Sequence, residues 1–324
     1  MKSLPIALGL ALAIAPAHAA VYVAAHQDDI VLMMGKSVQT DIKADKPTVL
    51  VVVTAGDAGN GVSPASATGL RGHQYNLMGN PYFRVRHNAH EAAINYWLPA
   101  RHSRLPQRST ESFGDTAPRV EKVLIGNVVL YYLNLPDGQL DAFYTGAHAT
   151  MADVAGTNVY TPESLRNTLR EIIRRNHAST AGVVVHTPDP TPDFRGPDYN
   201  EDGRVHTLSD HPDHVAAGRF VRDAIEAIAE FACINRSLYM GYPIRTLPDS
   251  MNYSEKLSQI SAFTILDTVL KNQGNIASRD AQLRERLGSM DAFHTSFYGK
   301  QKWRPLTPPA DRCAVVVTVV HRAR

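Results

Sequence analysis

Two short segments carry most of the groups able to do chemistry. His26-Gln27-Asp28-Asp29 offers an imidazole and two carboxylates, and His211-Pro212-Asp213-His214 offers two imidazoles three residues apart. Residues at that spacing share one face of a helical turn. Pro212 directly after His211 suits a helix's opening turn, where its missing N–H would have had no partner. A helix N-terminus would also favour the acidic residues of both segments. Catalytic zinc takes three protein ligands from His, Asp, Glu or Cys and keeps a fourth position for water. The two segments supply such a set with little redundancy. The chemistry it would serve is hydrolysis, because bound zinc lowers the pKa of water from about 15.7 towards ~7. Each segment also has a plainer reading. Asp28 and Asp29 could cap the helix that follows, and an isolated His-x-x-His in a chain with 14 histidines is more often incidental. A His-His-Asp donor set would also hold iron or cobalt.

Elements that could position these groups are legible around them. Val21–Ala25 and Val49–Val53 are nearly continuous apolar runs, as expected of strands buried on both faces. The first ends at His26 and the second at Thr54-Ala55-Gly56-Asp57. Asn88–Leu98 has helical spacing, and Val128–Leu133 reads as a strand running into the turn Pro136-Asp137-Gly138. Ser164–Arg175 reads as helix, Val183–Val185 as strand, and Thr187–Asp210 as a loop rich in proline and aspartate. A long helix is expected over Pro212–Ala232, two more between Ser254 and Met290, and a last β-rich run over Ala314–Val320. This alternation predicts an α/β fold, Rossmann-like, with a largely parallel sheet and helices on both faces. In such sheets the reactive crevice lies beyond the carboxyl ends of the strands, where the polar clusters stand.

The same residues resemble a known family. Ala25-His26-Gln27-Asp28-Asp29 and His211-Pro212-Asp213-His214 are similar to the (A/P)-H-P-D-D and H-P-D-H motifs of the PIG-L/LmbE-like de-N-acetylases. Thr54–Gly59 resembles that family's segment after the second strand, and Leu135-Pro136-Asp137-Gly138 its L-P-D-G element. The layout is also similar to the exported branch that includes the deacetylases of glycopeptide antibiotics. The resemblance implies zinc ligation by His26, Asp29 and His214, one ion per chain. It implies Asp28 as general base and His211 as the group that stabilises the oxyanion or protonates the leaving amine. It further implies substrate contacts from Asp137 and Arg86, although His87 stands where an acidic neighbour is expected. Gln27 replaces the motif's proline. The implied reaction is removal of an N-acyl group from an amino sugar. Competing expectations are a non-catalytic glycan-binding protein and an amidase for a non-sugar N-acyl substrate.

Residues outside the motifs narrow the setting. Lys2, an apolar stretch from Leu4 to Ala15 and Ala17-His18-Ala19 read as a signal peptide cleaved after Ala19, giving a periplasmic or secreted protein. Residues 20–324 are expected to form one domain. A charged fraction of 20% and a net charge of +2 give no reason to expect a nucleic-acid or membrane partner. Two cysteines, Cys233 and Cys313, could pair in an oxidising compartment. Gly35-Lys36-Ser37 lacks the leading glycine of a phosphate loop, and no G-x-S-x-G elbow occurs. Asp198–Gly203 matches half of a calcium loop, but Ser209 occupies its twelfth position and Asp210 comes one place late, so an acidic turn is the better reading. Pro305–Pro309 reads as an ordinary connection.

Overall fold

In the computed structural model, residues 19–57, 82–114, 117–176, 184–191, 196–199, 205–208, 210–227, 234–273 and 294–307 are described. The strands are β1 (Ala20–Ala24), β2 (Thr48–Thr54), β3 (Gln107–Ser112), β4 (Arg119–Ile125), β5 (Val128–Leu135), β6 (Met151–Ala152), β7 (Val159–Tyr160), β8 (Val184–Pro188), β9 (Gly196–Tyr199), β10 (Val205–Leu208), β11 (Asn235–Tyr239) and β12 (Trp303–Leu306). The helices are α1 (Gln27–Leu32), α2 (Gly35–Lys43), α3 (Tyr82–Trp97), α4 (Leu140–Tyr144), α5 (Pro162–Asn176), α6 (Pro212–Glu226) and α7 (Tyr253–Gln273), with a 3-10 turn over Tyr242–Thr246.

Eight strands form one sheet in the order β12-β11-β8-β1-β2-β5-β4-β3. β5, β2, β1, β8 and β11 run parallel, whereas β3, β4 and β12 lie antiparallel at the edges. The chain steps from β1 outwards to β2 and β5, then returns to the other side of β1 with β8 and β11. The direction of winding therefore reverses between β1 and β8, the crevice where doubly wound sheets bind ligands.

The two-residue period of the strands sorts the core onto two faces. Val21, Val23, Val49, Val51, Val53, Tyr131 and Leu133 pack with residues of α4, α5 and α6 such as Phe143, Leu169 and Phe220. Tyr22, Ala24, Leu50, Val52, Leu130 and Tyr132 pack on the opposite side with Ile30, Val38, Ala93, Trp97 and Phe263. Helices thus cover both faces, and full burial of each aliphatic side chain contributes roughly 1.5–3 kcal/mol. Among the described residues, no helix is long and apolar enough to cross a membrane.

Several sequence expectations need correction. The helix expected from Asn88 begins at Tyr82, which puts Arg86 inside α3 rather than before it. Thr187–Asp210 is not wholly loop, because β9 and β10 pair as an antiparallel hairpin within it. The connection expected at Pro305–Pro309 opens inside β12, with Pro305 paired opposite Ser237 on the sheet edge, where proline is tolerated. Residues 1–18, Cys233, Cys313, the second expected helix before Met290 and the run Ala314–Val320 lie outside the described residues. So do residues 200–204 and 209 of the half calcium loop.

Candidate active site

The residues that follow β1, β2, β5 and β11 gather at one cluster, with His26, Asp57, Asp137 and Tyr242 linked through contacts to one another and to His214. β1 delivers His26 as the N-cap of α1 in extended conformation, and the Asp29 Oδ2 atom accepts the His26 backbone N–H at 2.8 Å. Asp29 therefore does cap the helix, as the plainer reading had it. Its other oxygen, Oδ1, lies 3.1 Å from His214 Nε2. Capping and ligation use different atoms of one carboxylate, so the two readings coexist.

His214 is held from behind. Its Nδ1 is 2.7 Å from Asp210 Oδ1, and a carboxylate there requires Nδ1 to carry the proton. Nε2 is buried and without a hydrogen-bond partner despite its closeness to Asp29. A buried ring nitrogen facing one carboxylate, with its partner nitrogen oriented by a second carboxylate, is the arrangement of a metal-binding histidine. Asp210 also accepts the backbone N–H groups of His211, Gly241 and Tyr242. Its carboxylate thereby ties His214 to the turn after β11. Gly241 allows this approach, since a Cβ there would stand 2.1 Å from Asp210 Oδ1.

His26 is oriented in the same manner. Its Nε2 lies 3.0 Å from Asp137 Oδ1, so Nε2–H donates and Nδ1 is the atom left on the Asp29 side, 3.4 Å from Oδ2. Asp137 is thus placed against His26. Asp213, fully buried, accepts the N–H groups of Gly138 and Leu140 and pins the Pro136-Asp137-Gly138 turn to the start of α6. The aspartate inside the second motif therefore links that motif to the turn carrying Asp137.

His211 differs from its two neighbours. As N-cap of α6 it accepts the Asp213 N–H at Nδ1, 3.2 Å away. A neutral imidazole that accepts at Nδ1 must carry its proton on Nε2. His211 therefore presents a donor, whereas His214 turns its Nε2 towards Asp29 and its Nδ1 towards Asp210. One donor atom from each of His26, His211 and His214 lies within 4.8 Å of the others, as does one from each of His26, Asp28 and Asp29. His26 belongs to both sets, each of which could hold a metal ion.

Charge points the same way. Burial disfavours the charged form of His26, but Asp29, Asp137 and Asp213 outweigh it and hold its pKa well above the usual value. Burial likewise opposes charge on His214, yet Asp29 and Asp210 push its pKa up to about 10. The carboxylates therefore attract positive charge into a dry site, and a divalent cation would displace these protons. The residues present fit a divalent metal ion.

Asp28 has its own partners beside the cluster. Its Oδ1 accepts from Arg86 Nη2 at 3.1 Å, and His294 Nε2 lies 4.0 Å from Oδ2. Burial would raise the Asp28 carboxyl, but Arg86, with His26 and His294, brings it below the ordinary value. Arg86 is itself placed by Gln27, whose Oε1 accepts from Arg86 Nε at 3.2 Å and whose Nε2 donates to Ala55 O at 3.0 Å. Gly56, at φ +59°, lets these groups close up: a Cβ would lie 2.3 Å from Gln27 Oε1 and 2.6 Å from Arg86 Nη2. Asp57, the last residue of that segment, accepts the Asp137 N–H at 3.0 Å.

All seven residues singled out by sequence (His26, Asp28, Asp29, Arg86, Asp137, His211 and His214) come together here. Sequence reasoning missed Asp210, Gln27's role, Tyr242 and His294. The i, i+4 spacing of Asp210 and His214 could have exposed the first. Nothing distinguishes His294 among the other histidines.

No family model matches the chain, and no curated protein matches it. Solved structures do. The chain is similar to N,N'-diacetylchitobiose deacetylase from Pyrococcus horikoshii at 13% identity and a TM-score of 0.48, covering 90% of this chain and 84% of that one. It is similar to a zinc-inhibited form of teicoplanin deacetylase at 13% identity and a TM-score of 0.43, covering 89% of this chain and 98% of that one. It is also similar to 4-carboxy-2-hydroxymuconate hydratase from Pseudomonas putida at 12% identity and a TM-score of 0.42, covering 90% and 97%. In the course of its backbone, then, the chain is similar to deacetylases and to a hydratase, at low sequence identity throughout.

Proposed function

We propose that this protein is a zinc-dependent amidohydrolase that removes an N-acyl group, in the simplest case N-acetyl, from an amino sugar of a glycan or glycoconjugate. The observation that carries the reading is the buried His214 Nε2 without a hydrogen-bond partner, fixed by Asp210 beside Asp29. The amino-sugar part rests on the resemblance of the two motifs to the PIG-L/LmbE-like enzymes. The leader-like first nineteen residues support action in the periplasm or outside the cell.

His26 Nδ1, an Asp29 oxygen and His214 Nε2 would hold the ion. Zinc bound there supplies an acidified water and polarises the acyl carbonyl. Asp28, kept ionised by Arg86, accepts the proton of the attacking water. His211 donates its Nε2–H to the carbonyl oxygen as charge develops. Burial keeps the His211 pKa below its usual value, so it acts as a neutral donor. The proton held by Asp28 then passes to the departing nitrogen, giving a free amine and a carboxylate. A glycan-binding protein without activity has no need of this spare carboxylate, and no ligand or base is replaced here. The test is a panel of N-acylated sugars, glycopeptides and simple amides incubated with zinc-loaded protein. Amine release from the sugars supports the reading. Release from none of them refutes it, and release from simple amides alone transfers it to a non-sugar substrate.

A further inference from the structure

We infer that a cavity between α3 and the edge strands β3 and β4 binds an acidic sugar, taking the carboxylate or phosphate group of a unit neighbouring the one that is deacylated. The inference names a substrate class for the same enzyme and rests on the amidohydrolase reading above.

The cavity, of about 660 Å³, is walled by α3, by β3, β4 and β5, and by the turn between β6 and β7. That is the size of a small-ligand pocket. Arg84 and Asn88 enter it from α3, about one helical turn apart, on the side of the helix away from Arg86. The antiparallel register sets Thr110, Glu121 and Tyr132 in one row across the three strands. Arg119 stands two residues from Glu121 and Asn134 two from Tyr132, and both line the cavity on the same face. The turn is fastened to these strands. Arg119 N–H donates to Asn158 Oδ1 at 2.8 Å, Asn158 Nδ2 donates to Arg119 O at 3.2 Å, and Val154 N–H donates to Asn134 O at 2.8 Å.

The lining carries three guanidinium groups, of Arg84, Arg108 and Arg119, against two carboxylates, of Glu121 and Asp153. Asp153 is engaged inside its own turn, by Thr157 and Asn158. Glu121 Oε1 accepts from both Arg84 and Arg108, and its Oε2 is buried 3.5 Å from His87 Nδ1. Arg108 is completed by Glu91 at 2.8 Å and Asn88 at 3.2 Å, so it braces the wall. Arg84 and Arg119 are not completed. Arg84 makes its one side-chain hydrogen bond through Nη1, and Arg119 its one through Nη2, to Thr110 Oγ1 at 3.1 Å. Among the described residues Arg119 has no carboxylate partner. Both groups therefore keep N–H donors for the cavity. Asn134, 5% exposed, has its Oδ1 buried without a hydrogen-bond partner, which leaves its amide N–H groups as what it offers. Donors with an excess of positive charge select a ligand made of acceptors, and the arginine fork matches the paired oxygens of a carboxylate or phosphate. A cation would be repelled. The cavity is also near the candidate site. Asn134 is three residues from Asp137, which contacts His26, and three residues span at most about 11 Å. A neighbouring sugar of the same glycan covers that distance.

The test uses zinc-loaded protein and three disaccharides, in which an N-acetyl amino sugar is linked to glucuronate, to the methyl ester of glucuronate or to a phosphorylated glucose. Wild type should prefer at least one of the two acids over the neutral ester by roughly 10–100-fold in kcat/KM, the effect of one charge-assisted contact, and the difference should lie in KM. Which acid is favoured tells a carboxylate ligand from a phosphate. Arg119→Gln, which removes the guanidinium group without a carboxylate partner, should abolish the preference. The ratio of acid to ester within one protein cancels the amount of correctly folded, zinc-loaded enzyme, so a partly misfolded variant still reports. An active wild type indifferent to the charge overturns the inference alone, as does an Arg119→Gln variant that keeps the wild-type preference. Wild type that hydrolyses none of the three overturns the amidohydrolase reading and the inference with it.

Discussion

Gln27 occupies the place where the related motif carries proline, and its two hydrogen bonds allow a quantitative test of how the candidate base is held. Its amide is buried, at 1% exposure, with Nε2 on Ala55 O and Oε1 on Arg86 Nε. Gln27→Met preserves volume and removes both bonds. A neutral hydrogen bond contributes about 1 kcal/mol net and one to a charged group about 1.5–3 kcal/mol. The variant should therefore lose roughly 2.5–4 kcal/mol of unfolding free energy. The Arg86 share is isolated by a double-mutant cycle with Arg86→Met, read by urea denaturation of zinc-loaded protein, with an expected coupling of about 1.5–3 kcal/mol. Turnover should fall in Gln27→Met because Arg86 is no longer aimed at Asp28. Gln27 is the first residue of α1, where proline is tolerated, so Gln27→Pro should fold and show the same loss of turnover. Additive effects, with coupling below ~0.5 kcal/mol, would refute the reasoning that Gln27 acts through Arg86.

Other perturbations probe separate parts of the account. Asp210→Asn offers His214 an amide in place of a carboxylate and no longer enforces the Nδ1–H tautomer. Zinc affinity, measured by competition with a chromogenic chelator, should drop about 10–100-fold, and an unchanged affinity contradicts the assigned tautomer. Gly56→Ala forces a Cβ to within 2.3 Å of Gln27 Oε1 at φ +59°, so it should reduce turnover with little effect on zinc binding. Glu91 gives a pH test away from the site. Burial pushes its pKa up to about 7 in spite of Arg108 at 2.8 Å, so the folded state binds the extra proton. Stability should then fall as pH rises from 4.5 to about 7, by at most roughly 3 kcal/mol at 1.36 kcal/mol per unit. In Glu91→Gln this contribution disappears. Identical urea midpoints against pH for the two proteins would dispose of the assignment.

The parallel core of the sheet was legible because burial on both faces writes continuous apolar runs, as in Val49–Val53. The antiparallel edge was not. β3 reads Gln-Arg-Ser-Thr-Glu-Ser, exposed along almost its whole length, so it leaves no hydrophobic period to find. β12 carries Pro305 and likewise has no buried face. The candidate ligands stood out because their side-chain chemistry is compact in sequence, at residues 26–29 and 211–214. Their supports did not, since Asp213 reaches the Asp137 turn and Gln27 reaches Arg86 only through tertiary contacts. The different settings of His211 and His214 are equally hidden. It depends on which nitrogen meets a backbone N–H and which meets Asp210.

Zinc-loaded wild type and Asp28→Asn, assayed side by side with metal content measured on the same samples, test the central claim most directly. The account predicts that wild-type activity rises in proportion to bound zinc up to one ion per chain. It predicts that amine and carboxylate appear in equal amounts. Asp28→Asn should bind zinc equally well yet lose roughly 10²–10⁴ in turnover, the range expected for removal of a general base. Undiminished activity after chelation, or an Asp28→Asn variant as active as wild type, would contradict it.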